Sequence, residues 1–343
     1  MILLLGCAGG TPDTATPSDI VADLEAPGPY AVGYRQSSVT YDSAWEPGRT
    51  LRLALWFPTE ATSGGTAAYL DGAVDAEGVL DDPPPAPGTL PVVIFSHGYQ
   101  GYAENSSFLA THLASHGYVV AAPDHTGDTT FDDPERTTEI YAQRPQDLSA
   151  VLDALPDELD VDTTAVTAIG HSFGGYTVFA LGGATYDPSV LLCKGDTSSF
   201  CSTMDVSLSS AFTQGFRDTR VIRIVPMAAG DQVLFGAGTE ALPVPALQMT
   251  GELDPGTPAD GEAYWATLSG GPHRRVQLLG AGHQAFTDFS GVLDDGGTID
   301  PAEGFRIVDV YALAALRADA GDSAASTLLN GDPTVSEAAI LLR

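Results

Sequence analysis

The sequence is poor in basic residues, and above all in lysine. It has 14 Lys and Arg against 45 Asp and Glu, a formal net charge of −31, and Lys194 is its only lysine. Binding to nucleic acid needs clustered Lys and Arg that neutralise phosphates, so this composition excludes an electrostatic nucleic-acid binder. It equally disfavours charge-driven docking on anionic lipid. The charge balance indicates instead a strongly acidic, solvated surface, as in a protein from a salty setting.

Cysteine is also scarce, with three residues in the chain. Cys193 and Cys201 lie eight positions apart in the polar segment 184–215. A local disulfide there would stabilise a loop with little apolar content of its own, and two free thiols are the alternative. A metal site is disfavoured because no histidine or further cysteine lies nearby in the sequence. We predict the disulfide and no metal, and we expect this segment to border the functional cleft.

The N-terminal apolar run, residues 1–7, is too short to span a bilayer. Residues 4–7 read LLGC, which resembles a bacterial lipobox, in which the cysteine carries a lipid. The basic residues that usually precede such a run are missing, and a chance apolar leader is the alternative. Residues 8–29 are rich in Gly, Thr, Pro and Asp, which predicts a flexible tether. We expect export from a bacterial cell, as a lipoprotein anchored at Cys7 or as a secreted protein.

Residues 30–343 are predicted to form a single domain. The chain is 43% hydrophobic, enough for one large core. Strand-like and helix-like segments alternate, which predicts an α/β fold with a mostly parallel central sheet and helices on both faces. Two antiparallel strands, 32–41 and 51–57, are expected at its start. Helices are predicted over 144–155, with proline in the first turn, and over about 303–317.

The most informative motif is GHSFGG at 170–175. A strand-like run precedes it at 165–169, and residues 176–181 can begin a helix. A serine on a sharp strand-to-helix turn has an exposed hydroxyl, and the glycines let the chain pass close by. This context predicts Ser172 as a nucleophile and the N–H of Phe173 as a donor to a developing oxyanion.

Three further segments complete this pattern. The strand-like run 90–95 leads into a glycine turn whose Tyr99 N–H can supply the second oxyanion donor. Asp254 follows the strand-like run 244–250, and an acid there can orient a histidine. His283, in a glycine-rich loop after the run 275–279, is the only one of seven histidines placed late in the chain after a strand. The order serine, aspartate, histidine predicts the α/β-hydrolase fold.

The motifs also resemble a known group. HQAFTDF at 283–289, SHG at 96–98, GHSFGG at 170–175 and LASHGYVVAAPDH at 113–125 are similar to plasma-type platelet-activating-factor acetylhydrolases and their bacterial relatives, often labelled dienelactone-hydrolase-like. The resemblance covers roughly residues 30–316. True dienelactone hydrolases use a cysteine nucleophile, so the serine at 172 departs from that chemistry.

The same core is similar to bacterial cutinases that cut polyesters. In that group a tyrosine and a methionine supply the oxyanion N–H groups, and Tyr99 matches whereas Phe173 does not. In the acetylhydrolases the acid comes one strand earlier, near Met227, where Asp231 is the only local substitute. We therefore prefer Asp254 as the acid and keep Asp231 as the second candidate.

These patterns predict a serine carboxylic-ester hydrolase that works through an acyl-enzyme on short-acyl or lipid-like esters, with Ser172, Asp254 and His283 as its triad. A hydrolase of PET- or cutin-type polyesters is the close alternative. An inactive binding module on this fold has less support, because no triad member is missing. An amidase or peptidase, also a lesser alternative, could use the same triad, and only substrate tests separate it from an esterase.

The predicted substrate contacts lie around the nucleophile and the two oxyanion donors; they are Tyr99, Gln100, His171, Phe173 and Phe286. The partner is then a small or polymeric ester, and we expect a monomer that needs no metal or organic cofactor.

Overall fold

The structure is a computed structural model that describes residues 17–132, 136–196, 198–268 and 271–343. The lipobox-like segment around Cys7 and residues 8–16 of the predicted tether lie outside this part of the chain.

Eleven strands and eight α-helices are found in the described residues. The strands are β1 (Ala31–Tyr41), β2 (Arg49–Thr59), β3 (Thr66–Tyr69), β4 (Val74–Asp81), β5 (Leu90–Ser96), β6 (Val119–Pro123), β7 (Val161–His171), β8 (Val221–Met227), β9 (Leu247–Gly251), β10 (Arg274–Leu278) and β11 (Ala339–Leu342). The helices are α1 (Pro17–Glu25), α2 (Ser107–Ser115), α3 (Thr138–Glu158), α4 (Phe173–Gly182), α5 (Val206–Gln214), α6 (Pro258–Leu268), α7 (Pro301–Asp319) and α8 (Ser323–Leu328).

The strands form one mixed sheet with the order β11-β10-β9-β8-β7-β5-β6-β2-β1-β4-β3. Its centre, from β10 to β6, is parallel. The antiparallel pair β1–β2 joins this centre through an antiparallel contact of β2 with β6, and β11 closes the other edge antiparallel to β10. The prediction of a mostly parallel sheet with antiparallel N-terminal strands is confirmed.

Apolar side chains of the central strands pack into two hydrophobic cores, one on each face of the sheet. Along β5, Val93 and Phe95 belong to the core under α1, α2, α7 and α8. Val92 and Ile94 belong to the core under α3, α4, α5 and α6. Successive side chains of a strand point to opposite faces, so a strand buried on both faces is apolar throughout. The predicted helix layers on both faces are therefore confirmed.

The parallel centre brings several loops to one edge. β5, β7, β9 and β10 all end at the same side of the sheet, because parallel strands share a direction. Loops that follow such strands are the usual place for a site in an open α/β sheet. The segments with Tyr99, Ser172, Asp254 and His283 are these loops.

Helix α3 begins earlier than the sequence indicated. It runs from Thr138, so Pro145 lies in its interior and not in its first turn. A proline there cannot donate to the carbonyl four residues before it, which is that of Tyr141. The hydroxyl of Tyr176 donates to this carbonyl instead, at 3.0 Å. A contact from another helix thus replaces the missing bond, and sequence spacing could not reveal it.

The predicted tether is wrong over its described part. Helix α1 packs on the domain, with Ile20 and Leu24 buried against α7 and α8. Its carboxylates pair with arginines of α7, Asp23 with Arg317 and Glu25 with Arg306. Two apolar residues one helical turn apart therefore fix this segment to the core. Among the described helices, none has the length and apolar character needed to cross a membrane.

Candidate active site

Ser172 lies at the turn between β7 and α4, with φ 56° and ψ −116°. A positive φ is costly for serine and persists only when neighbouring structure enforces it. Here the Ser172 N–H donates to the carbonyl of Met227 at 2.9 Å. A Cβ at Gly174 would lie 1.9 Å from the carbonyl oxygen of Ser96, so only glycine fits beside the serine. The turn is held tightly against the ends of β5 and β8.

His283 lies in the loop after β10 and contacts both other predicted triad residues. Its Nε2 is 3.0 Å from the Ser172 Oγ. Its Nδ1 is 3.0 Å from each carboxylate oxygen of Asp254. The His283 carbonyl lies 2.9 Å from Nε2 of His171, which fixes the backbone of this loop. The imidazole therefore bridges the hydroxyl and the carboxylate.

Asp254 is held as a carboxylate. Its Oδ1 accepts hydrogen bonds from the N–H groups of Gly256 at 2.7 Å and Thr257 at 3.1 Å, and its Oδ2 accepts one from the Thr257 hydroxyl at 2.7 Å. Burial by itself raises the pKa of this carboxyl, but the hydrogen bond and charge of His283, together with these donors, lower the pKa to about 2.

Asp231, the second candidate acid, is engaged elsewhere. It pairs with the guanidinium of Arg136 and lies 3.4 Å from the hydroxyl of Tyr141. The structure therefore brings Asp254, and not Asp231, to the histidine. Both acids follow parallel strands, but their loops turn their carboxylates toward different partners.

The two predicted oxyanion donors flank the nucleophile. Phe173 is the first residue of α4, where an N–H has no partner within its helix and the helix dipole is positive. Tyr99 lies in a tight turn in which the Gly101 N–H donates to the Gly98 carbonyl at 3.1 Å. A Cβ at Gly98 would lie 3.2 Å from Cβ of Ser172, so this turn rests directly on the nucleophile.

The predicted substrate contacts divide by exposure. Tyr99 is 38% exposed and Gln100 is also on the surface. The side chains of Phe173, Phe286 and His171 are buried, Phe173 to the extent that 2% remains exposed. The rings of both phenylalanines pack in the cores behind the cleft, so neither offers an exposed ring to a substrate.

His171 is a buried neighbour of the catalytic candidates. Burial, and next to it the charge of His283, lower the pKa of His171 to about 3. Its Nε2 lies 2.9 Å from a carbonyl oxygen, an acceptor, so this nitrogen carries the proton of a neutral imidazole. The residue supports the loop of His283 without titrating near neutral pH.

Sequence reasoning missed a buried cation beneath the site. The fully buried Arg144 donates to the hydroxyl of Ser96 at 3.1 Å, to the carbonyl of His97, and to Thr177 on α4 at 3.0 Å. The Asp128 carboxylate forms a salt bridge with this guanidinium, with an N–O distance of 2.5 Å. The guanidinium thus ties the turn of Tyr99 to the nucleophile helix. An arginine at the predicted start of a helix gave no sign of this role.

Cys193 and Cys201 form a disulfide with a Cα–Cα distance of 5.5 Å. The predicted pairing is confirmed. The disulfide loop walls a cavity of about 420 Å³ whose other side is formed by Arg136, Tyr141 and the segment 231–234. The segment therefore borders the same edge of the sheet as Ser172.

Comparisons with known proteins find similar sequences over parts of this chain. A family model described as Chlorophyllase matches residues 74–192. Chlorophyllase-1 of Citrus unshiu is 33% identical over 114 residues, 29% of this chain and 33% of that protein. Cutinase est2 of Thermobifida alba is 34% identical over 88 residues, 25% of this chain and 28% of that protein.

Other relatives cover more of the chain at lower identity. Cutinase cut1 of Thermobifida fusca is 26% identical over 167 residues, 47% of this chain and 45% of that protein. A ferulic acid esterase from Streptomyces cinnamoneus, whose structure is solved, has a TM-score of 0.64 at 22% identity and covers 84% of this chain and 90% of that one. The chain thus spans less than half the length of the curated relatives named here. The family model includes Ser172 and stops before Asp254 and His283. The chain therefore has an α/β-hydrolase fold and is similar in sequence to cutinases over part of its length.

Proposed function

We propose that this chain is a serine carboxylic-ester hydrolase that acts through an acyl-enzyme. One observation carries the proposal: a continuous line of hydrogen bonds from Ser172 through His283 to Asp254, each step at 3.0 Å. A nucleophile, a base in contact with it and an acid that orients the base are the parts that acyl transfer needs. The relatives named as cutinases and chlorophyllases support the same chemistry.

The geometry accounts for each step. Nε2 of His283 takes the Ser172 proton as Oγ attacks the ester carbonyl, and Asp254 keeps Nδ1 protonated and stabilises the imidazolium. The N–H groups of Tyr99 and Phe173 receive the oxyanion. His283 then gives its proton to the leaving alcohol. A water molecule, deprotonated by His283, attacks the acyl-enzyme. His283 returns this proton to Oγ of Ser172 as the bond to the acyl group breaks and the carboxylic acid leaves.

Replacing Ser172 with alanine tests the proposal. Turnover of 4-nitrophenyl acetate should fall by more than ~10³-fold, because triad deletions have effects of that size. The fold should persist, since the hydroxyl contacts His283 at the surface of the cleft. Ser326→Ala, a change at a serine of α8 whose hydroxyl donates to the carbonyl of Asp322, is the control and should leave turnover unchanged. Near-normal turnover in Ser172→Ala would refute the mechanism.

Short-acyl or lipid-like esters are the proposed substrates, and polyesters are the alternative. One observation favours the polymer: apolar side chains of Tyr99, Phe131 and Leu253 are exposed in loops at this edge of the sheet. Such a rim can lie against a flat polymer chain, where a deep pocket could not. The resemblance to cutinases supports this second candidate.

Two sets of rates distinguish these substrates. A steep fall along 4-nitrophenyl esters from acetate to palmitate would favour short-acyl esters, and release of products from a polyester film would favour the polymer. Leu253→Ser should then lower film hydrolysis without changing acetate hydrolysis. The control is Ile222→Ser, since Ile222 is 38% exposed against 41% for Leu253 but lies at the opposite end of a central strand.

The disulfide fits export from the cell, because such bonds persist in oxidising surroundings. We further propose that the host is bacterial and that Cys7 carries a lipid anchor when the protein is not released. Cys7→Ser should then move the protein from the membrane fraction to the soluble fraction. We also propose a monomer, and light scattering after gel filtration tests it by mass.

A further inference from the structure

Arg136 lies against both residues that supply the predicted oxyanion donors. Its guanidinium carbon is 3.9 Å from the ring centre of Phe173 and 5.4 Å from that of Tyr99. The donors belong to different segments, a turn after β5 and the start of α4. One cation thus connects two loops that must be aligned to within a fraction of an ångström.

Arg136 is itself held in place. Its guanidinium pairs with Asp231, in the loop after β8, and lies 4.8 Å from the ring centre of Tyr141 on α3. A cation over an aromatic face is attracted by the ring, more strongly when both are partly desolvated. These contacts give Asp231 a role in the site although it does not touch His283.

The Tyr99 turn needs such support. Its ring is partly exposed, and Gln100, the next residue, has φ 56°, a left-handed conformation that neighbouring contacts must maintain. Arg144 fixes the turn from inside through the carbonyl of His97. Arg136 contacts it from outside, at the Tyr99 ring.

We propose that Arg136 is a positioning residue for the oxyanion hole: it packs on the side chains of Tyr99 and Phe173 and is oriented by Asp231. The inference rests on the proposed function. It implies that Arg136 acts on the transition state, where the oxyanion forms, more than on the bound ester.

Steady-state kinetics of Arg136→Gln test this role. With 4-nitrophenyl acetate, kcat should fall by about 10- to 100-fold while KM changes less than about threefold, since small displacements of aligned groups cost factors of this order. Arg136→Lys keeps the positive charge but loses the planar guanidinium, so its kcat should lie between those of the wild type and Arg136→Gln. The control is Arg35→Gln: Arg35 is also paired, with Asp82, and lies 5.4 Å from the ring centre of Phe57, but on a distant strand. Its side chain is 26% exposed against 25% for Arg136.

A boronic acid separates positioning from general structural support. The Ser172 oxygen bonds to the boron of phenylboronic acid, the serine proton passes to His283, and the tetrahedral anion places one oxygen where the oxyanion forms. The dissociation constant, followed by tryptophan fluorescence, should rise in Arg136→Gln by the factor by which kcat/KM falls. Asp231→Asn keeps the guanidinium, so the dissociation constant should rise less than in Arg136→Gln. This variant replaces Arg136→Gln in the test if Arg136→Gln does not fold.

The outcomes separate the two proposals. An unchanged kcat in folded Arg136→Gln, or a lower kcat with an unchanged boronate affinity, would overturn the positioning role. If Arg136→Gln does not fold, unchanged values in Asp231→Asn would overturn it. A wild-type protein that hydrolyses no ester would instead refute the proposed function, whatever the variants do.

Discussion

The change Asp254→Asn tests the proton position on His283, because the structure dictates how an amide would sit there. The oxygen Oδ1 accepts two backbone N–H groups, from Gly256 and Thr257, so it must remain an oxygen. The amide nitrogen then takes the place of Oδ2, where the Thr257 hydroxyl can accept from it and donate to the carbonyl of Ala228, 3.0 Å away. The second amide proton faces Nδ1 of His283 at 3.0 Å. The retained Oδ1 also lies 3.0 Å from Nδ1 but already accepts two N–H groups, so the amide proton favours Nδ1 as an acceptor. The imidazole proton then moves to Nε2, which can no longer accept the serine proton.

The magnitude follows from two hydrogen bonds to Nδ1 of His283. The charge-assisted bond to the carboxylate, which the variant cannot form, contributes about 1.5–3 kcal/mol, and the bond from the amide, which must break before reaction, about 1 kcal/mol. Together they correspond to roughly 10²- to 10³-fold in rate at 1.36 kcal/mol per factor of ten. Removal of the carboxylate charge beside the imidazolium brings the expected fall in kcat to as much as ~10⁴-fold.

The assay compares this variant with Asp231→Asn, the same substitution at the other candidate acid. Breaking the partly exposed pair of Asp231 with Arg136 should lower kcat less than about tenfold, since such pairs contribute about 1 kcal/mol or less. Initial rates with 4-nitrophenyl acetate and melting temperatures are measured for both. A larger loss in Asp231→Asn than in Asp254→Asn, at equal thermal stability, would transfer the acid role to Asp231 and refute the reasoning.

Three further predictions concern stability. The Cys193–Cys201 bond joins residues eight positions apart, and its reduction should lower the free energy of unfolding by roughly 2–3 kcal/mol. Intact mass with and without reductant tests for the bond. Labelling of both thiols in the native protein would contradict it. Because burial lowers the pKa of His171 from 6.5 to about 3, the unfolded chain binds a proton that the folded chain excludes, so unfolding free energy should fall as the pH drops from 6.5 toward 3. Urea titrations at several pH values measure the free energy of unfolding, which should fall less steeply with decreasing pH in His171→Gln than in the wild type. Equal pH dependence of the two proteins would argue against His171 as the cause. The net charge of −31 should make the melting temperature rise with potassium chloride over roughly 0.05–1 M, and a steady fall would count against self-repulsion.

The sequence alone predicted the features that depend on local patterns. Apolar runs and their alternation with helical segments predicted the mixed sheet with helices on both faces, because burial on two faces requires continuous apolar strands. The glycines around Ser172 predicted the turn, since a residue with a side chain at 174 would meet the Ser96 carbonyl. A separation of eight positions between Cys193 and Cys201, in a polar loop, predicted the disulfide.

Other features depended on contacts between distant segments. Asp254 and Asp231 both follow central strands, and only the folded loops decide which carboxylate meets His283. In α3, the Tyr176 hydroxyl donates to the carbonyl that the interior Pro145 leaves without its helical partner. Each of these outcomes depends on which partner a polar group finds, and that partner comes from another part of the chain.

The surroundings of Ser172 also depend on contacts between distant segments. Sequence order placed Phe173 beside Ser172 and predicted a side chain in the cleft, but its ring lies in the core against Arg136 and Arg144. Neighbouring residues on a turn point in different directions, and the direction is set by the space that the rest of the chain leaves. The sequence therefore determined the chemical groups and their order along the chain, whereas tertiary packing decided which of them meet.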